Sequence, residues 1–204
     1  MRLAELAARG GSTVATVKYY LREGLLPPGE TVSATRAEYD ESHVRRLRLV
    51  RALAGVAGLS LGQVREVLAV LDDDRRPVGQ AIAVAHPMLS RELEEEPSAG
   101  SRERVTSLVG RLGWSVRSDG RHGSALASAL DAMDAAGQPM TESNLRVYVA
   151  AAERVARADV AGMRLRADET DATTFAVLGT LLAEPVLVAL RRMAQEHHAH
   201  GVAD

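Results

Sequence analysis

The chain has 204 residues, no cysteine and a formal net charge of −2. That length allows one domain or two small ones, with a core that needs no covalent staple. The missing cysteines exclude disulfides, thiolate metal centres, iron–sulfur clusters and a thiol nucleophile. Aromatics are only 3%, so the core must be built from Ala, Leu and Val, and Ala and Leu favour helix. No uninterrupted apolar run reaches the ~18 residues of a membrane span, and no leader pattern opens the chain. The expectation is a soluble, cytoplasmic protein with no membrane partner.

The charge is unevenly placed. Residues 1–76 carry 12 basic and 10 acidic side chains, while the remainder carries 13 basic and 17 acidic. Such asymmetry suggests a two-part protein whose first part meets a polyanion.

Leu3, Leu6 and Ala7 recur at helical spacing, predicting a helix over about 2–9. Gly10-Gly11 stops it, because glycine tolerates the positive φ of a tight turn. Thr13 then reads as the N-cap of a second helix, 14–22, with Val14, Val17 and Leu21 on the side facing the first. Two short helices joined by a glycine turn form a helix-turn-helix signature. Leu25-Leu26-Pro27-Pro28-Gly29 is non-helical. Residues 30–39 read as a short hairpin or wing. Asp40 caps a third helix, 41–55, with Val44, Leu47, Val50 and Leu53 inside. Arg45, Arg46, Arg48 and Arg51 read mainly as its solvated face, with one or two able to flank a phosphate backbone. Ser60 and Gln63 form a capping box for a fourth helix.

These blocks carry a resemblance. Leu3 to Ala7, Thr16-Val17-Lys18-Tyr19-Tyr20, Gly24-Leu25-Leu26-Pro27-Pro28, Tyr39, Leu47 to Leu53, Gly58 to Leu61 and Val64 to Leu71 are similar to the DNA-binding domain of the MerR family of bacterial transcriptional regulators. The chain departs from the family pattern at Leu21, and in the wing, where Arg36 stands one place off. The resemblance implies a homodimer on double-stranded DNA, at a promoter inverted repeat, with RNA polymerase nearby. DNA affinity comes largely from cations and hydroxyls on phosphate. Lys18, Arg22 and Arg36 are the expected phosphate cations, Tyr19 and Tyr39 the expected neutral donors, and Thr16 a base-edge or thymine-methyl contact. Tyr20 reads as core.

Asp72 to Pro77 reads as a linker. Pro77, Pro87 and Pro97 leave room only for short helices at 78–85 and 88–96, so the long dimer coiled coil usual in the family is not expected here. Further helices are predicted at 102–112, 124–136, 142–165, 171–183 and 186–196. The last two are apolar enough to bury surface within the subunit and against a second copy. The expected division is 1–75 for DNA binding, 76–98 as linker, and 99–204 as a helical domain for dimerisation and effector sensing. The fold class is mainly all-α: a winged helix-turn-helix followed by a helical bundle.

Trp114, Met140, Tyr148 and Phe175, with Met133, are the large groups able to line a pocket for a small apolar effector, or else are ordinary core. His197, His198 and His200 read as a solvated tail rather than a metal site. No nucleophile elbow, phosphate-cradling glycine loop or His-Glu-x-x-His occurs, so neither an enzyme nor a cofactor is expected. The competing reading is an architectural factor that bends DNA and senses nothing.

Overall fold

The computed structural model describes residues 1–33, 36–73, 77–89 and 96–200. It is mainly helical with one small sheet, as expected. The chain divides into two compact units, Met1–Ala85 with Ala167–Asp204, and His86–Arg166. The last helix therefore groups with the N-terminal elements, whereas periodicity alone reads residues 99–204 as one domain.

In the first unit, α1 (Leu3–Arg9) and α2 (Val14–Arg22) are joined by the glycine turn. Of its two glycines, Gly11 takes a positive φ, +67°. Gly10 is needed for closeness: a Cβ there would lie 2.2 Å from Leu47 Cδ2, so the turn closes onto α3 (Glu41–Gly55). Thr13 caps α2, its Oγ1 accepting the Thr16 N–H at 3.1 Å. Leu6, Ala7, Val17, Leu26, Val44 and Leu47 form a buried cluster, with Tyr20, Leu21 and Tyr39 packed against it. Each such Leu or Val contributes about 1.5–3 kcal/mol on burial, which fixes the inner face of α2. Val14, expected on that face, is instead exposed.

The wing is β1 (Glu30–Ser33) antiparallel to β2 (Arg36–Glu38), with Glu30 opposite Glu38 and a register shift between Thr31 and Ser33. Asp40 caps α3 as expected, and His43 completes a capping box. Ser60 and Gln63 do the same for α4 (Leu61–Leu71).

Two expected breaks are absent. α5 (Val78–Leu89) runs through Pro87, and α9 (Glu169–His200) runs through Pro185 as one helix, not two. Proline removes one N–H and leaves the carbonyl four residues back without its ladder partner. Its φ is still helical, so good helix formers on both sides continue the same axis. The linker residues 74–76 and residues 90–95 of the expected 88–96 helix lie outside the described residues. α9 packs on α3 and α4, burying Ala176, Val177 and Leu181. Over Asp171–Ala199 it is also long and apolar enough to cross a membrane, by length and composition alone.

The second unit holds α6 (Ala99–Leu112), α7 (Arg121–Ala135) and α8 (Glu142–Arg164). Ser98 caps α6, and its N–H and hydroxyl both donate to the Asp131 carboxylate of α7 at 2.7 Å. The Ser101 side chain, and then these Ser98 bonds, hold the Asp131 carboxyl below its usual range. Gly113 ends α6 in the left-handed conformation, φ +64°. Val105, Ala127 and Leu130 are the buried centre of the α6–α7 pair.

Candidate nucleic-acid interface

α2 separates two functions by face. Val17 is fully buried, and Tyr20 and Leu21 lean on the core, which bears out Tyr20 as a packing residue. Ala15, Lys18, Tyr19 and Arg22 lie outward at three- and four-residue spacing, and all are exposed. Thr16 is half-buried, its hydroxyl 2.9 Å from that of Thr13. The Arg22 guanidinium sits 5.1 Å from the Tyr19 ring centroid, a cation–π arrangement that holds both groups on one side of the helix. Arg22 is 72% exposed and only 3.6 Å from the nearest Glu23 oxygen. Lys18 makes no ion pair among the described residues.

Arg45, Arg48 and Arg51 of α3 are exposed, as expected of a solvated face, and Arg46 is half-buried, but three of the four also hold backbone carbonyls. Arg48 donates to the Arg9 carbonyl and Arg51 to the Gly10 carbonyl, each at 2.9 Å. These oxygens are among the last of α1, which no helical N–H reaches. Arg46 donates to the Leu25 carbonyl at 3.2 Å and makes a two-bond pair with Asp72, at 2.6 and 2.5 Å. On α4, Arg65 donates to the Glu23 carbonyl at the end of α2 at 3.1 Å. Arg9 pairs with Glu41 at 2.6 Å. These cations brace the helix ends behind α2 and leave the outward charge to α2 itself. Sequence reading missed them because partners 21 to 42 residues apart leave no local signal.

The wing is fixed at its base. Tyr39 is half-buried, with its N–H donating to the Met1 carbonyl at 2.9 Å. Its ring meets the His43 ring edge-on at 5.3 Å. A Cβ at Gly29 would lie 2.8 Å from the Tyr39 ring, so glycine is needed where chain and ring meet. Hydrogen bonds from Ser42 and His43 hold the Asp40 carboxyl far below the usual carboxylate range. The negative charge thus persists at the N-terminus of α3, where the helix dipole favours it. Arg36 lies on β2; its side chain is outside the described residues.

The expected effector residues are divided between the two units. Phe175 belongs to α9 in the first unit, and Trp114, Met140 and Tyr148 to the second. Met140 packs against the α6–α7 core. Tyr148 is exposed on α8. Trp114 lines a cavity, with its indole N–H donating to Glu153 at 3.2 Å. His197 and His198 lie on the exposed end of α9, ring centroids 5.0 Å apart; the His200 side chain is outside the described residues.

A helix-turn-helix with a braced rear, a cationic outer face and a two-stranded wing defines a winged helix-turn-helix DNA-binding protein. The family described as MerR HTH family regulatory protein matches residues 1–71. The HTH-type transcriptional regulator ZntR homolog of Haemophilus influenzae is 27% identical over 128 residues, 55% of this chain and 95% of that protein. The HTH-type transcriptional regulator AdhR of Bacillus subtilis is 31% identical over 78 residues, 38% of this chain and 55% of its own length. The crystal structure of SCO5550 from Streptomyces coelicolor A3(2), named as a transcriptional regulator, matches with a TM-score of 0.69 at 36% identity. That match covers 98% of this chain and 96% of the other. The chain belongs to the MerR family of DNA-binding transcriptional regulators.

Proposed function

We propose that the protein is a cytoplasmic, homodimeric regulator that grips an inverted repeat in promoter DNA, close to RNA polymerase, and answers a small molecule held by its second unit. One observation carries the DNA reading. α2 turns Lys18, Tyr19 and Arg22 outward, while the arginines of α3 other than Arg45 donate to backbone carbonyls behind it. Lys18 and Arg22 sit on phosphate, joined from the wing by Arg36. Tyr19 and Tyr39 donate hydroxyl hydrogen bonds, and Thr16 meets a base edge. The half-burial of Tyr39 makes it the anchor of the wing as well as a donor. Few side chains here read bases by hydrogen bonds, so DNA shape carries much of the specificity.

α9 supports the dimer reading. Beyond Pro185, Val186, Leu187, Leu190 and Met193 are 45–64% exposed on the free half of the helix. Such a patch is large for a monomer. We infer that this apolar face pairs with its counterpart on a second copy. Two recognition helices then read two half-sites related by the same two-fold. No thiolate chemistry is open to the sensor, since the chain has no cysteine.

A gel shift on the promoter of a neighbouring gene tests the reading. Affinity should fall steeply with salt, because each neutralised phosphate adds about −0.9 to the log–log slope. Binding that ignores salt, or that a scrambled duplex matches, would defeat it.

A further inference from the structure

The second unit contains a cavity of about 420 Å³ between α6, the 113–120 connection and the start of α7. That is within the ~300–1,000 Å³ range of small-molecule sites. Val105, Leu108, Val109 and Leu126 give it an apolar lining, and Trp114 stands as one wall. The connection is tied down at several points, so the space is not a slack loop. The Trp114 N–H donates to the Val109 carbonyl at 3.3 Å, and its indole is held by Glu153. Thr106 donates to the Ser118 hydroxyl at 3.0 Å. A Cβ on Gly123 would lie 1.9 Å from the Ser118 carbonyl oxygen, so the connection rests directly on α7.

The charge around this cavity is one-sided. Among the described residues no carboxylate lines it, but Arg117, Arg121 and His122 do. Asp119 neutralises Arg117 through two bonds of 3.0 and 2.9 Å. Among the described residues, Arg121 has only a 3.4 Å contact with the Pro87 carbonyl. The His122 ring meets the His86 ring edge-on at 4.9 Å. α7 begins at Gly120 with no side-chain cap, so its first N–H groups add to the positive end. A neutral apolar ligand would leave these donors unmatched, and a phosphate ester would waste the apolar lining.

We propose that this cavity binds an amphipathic carboxylate, with its hydrocarbon part against α6 and α7 and its head on Arg121 and His122. The assignment rests on the effector reading above and gives it a place and a ligand class. Arg121 and His122 both touch α5, at Pro87 and His86. A bound head group therefore competes with contacts to the helix that leads into this unit from α4.

Trp114 is the only tryptophan in the chain and also borders a second cavity along α8, so Leu126→Phe, which touches only the first cavity, decides which of the two answers. The full-length protein is titrated with decanoate, decanol, decylammonium and acetate, below micelle formation, with calorimetry as a second readout. Decanoate should shift the emission saturably and bind at least tenfold more tightly than decanol, with decylammonium weaker still and acetate inert. Arg121→Gln should remove the preference for decanoate and leave decanol unchanged. Leu126→Phe, which fills the cavity, should abolish both, with the melting temperature showing that it still folds. Equal binding of the three ten-carbon probes, no saturable binding, or a decanoate response that survives Leu126→Phe would each overturn the assignment. Gel shifts without any probe separate the two readings. A protein that binds DNA but not decanoate loses this site, and one that binds decanoate but not DNA keeps it and loses the regulator reading.

Discussion

α2 and α3 both carry basic side chains, and the molecule uses them in opposite ways. On α3, Arg46, Arg48 and Arg51 reach backward and donate to carbonyls of α1 and of the segment after α2. On α2, Lys18 and Arg22 stand in solvent beside Tyr19. The difference follows from what each helix faces. α3 lies against the C-terminal end of α1, where unsatisfied oxygens and the helix dipole attract cations. On the outer face of α2, Lys18 makes no ion pair among the described residues and Arg22 meets only the Glu23 carboxylate at 3.6 Å, so these cations keep capacity for an external anion. Counting arginines therefore misleads; what matters is which of them still have hydrogen-bonding capacity outward.

The largest expected effect that tests this contrast is at Arg46. Its guanidinium is mostly buried and bonded to Asp72 and Leu25. Arg46→Ala should cost about 1.5–3 kcal/mol of folding stability, as for hydrogen bonds to charged groups. Urea unfolding would measure it. The salt slope of DNA binding should stay as in the parent. A reduced slope with unchanged stability would place Arg46 on DNA and break the comparison.

Lys18→Gln is the mirror experiment. Stability should change by no more than about 0.5 kcal/mol, as at exposed sites. DNA affinity should fall several-fold, evenly across sequences, and the salt slope should drop by about 1. Loss of stability instead would mean that Lys18 braces the fold.

Thr13→Ala joins the two sides. Thr13 caps α2 and so holds the helix that carries Lys18 and Tyr19. Losing such a cap costs about 1 kcal/mol. Both the unfolding midpoint and DNA affinity should fall, and Thr13→Asn should restore both. Recovery of stability without recovery of binding would show that Thr13 touches DNA directly.

How much of this was legible in the sequence follows the range of each interaction. The limits of α2, the Thr13, Asp40 and Ser60–Gln63 signals, and the wing are local, since cap and capped group lie within three or four residues. Ser98 is the exception that the sequence reading passed over, because Gly100 obscured the start of α6. The prolines misled in the other direction. Pro87 and Pro185 carry a local penalty of ~3 kcal/mol or more, yet α5 and α9 continue through them. On α9, burial of Val177 and Leu181 against α3 and α4 offsets that penalty. The arginine braces, and the grouping of α9 with the N-terminal elements, depend on tertiary placement, which spacing along a chain does not encode.

The smallest expected effect contrasts the two units by pH. In the first, the Asp40 carboxyl is lowered in the folded state, chiefly by the Ser42 and His43 side chains. Its contribution is present above the unfolded carboxylate value of 3.8 and is lost as pH falls through the folded value. In the second, His86 is lowered from 6.5 by burial first and by the charge of His122 second. The unfolded chain then takes up the His86 proton more readily than the folded one. Stability from this group is complete above about pH 6.5 and erodes as pH falls toward the folded value. Unfolding followed at Trp114 between pH 7.5 and 5 should therefore show a modest decline that His86→Gln flattens and Asp40→Asn leaves in place. If His86→Gln retains the full decline, the acid sensitivity of the second unit arises elsewhere, and the edge-on histidine pair is packing without electrostatic consequence.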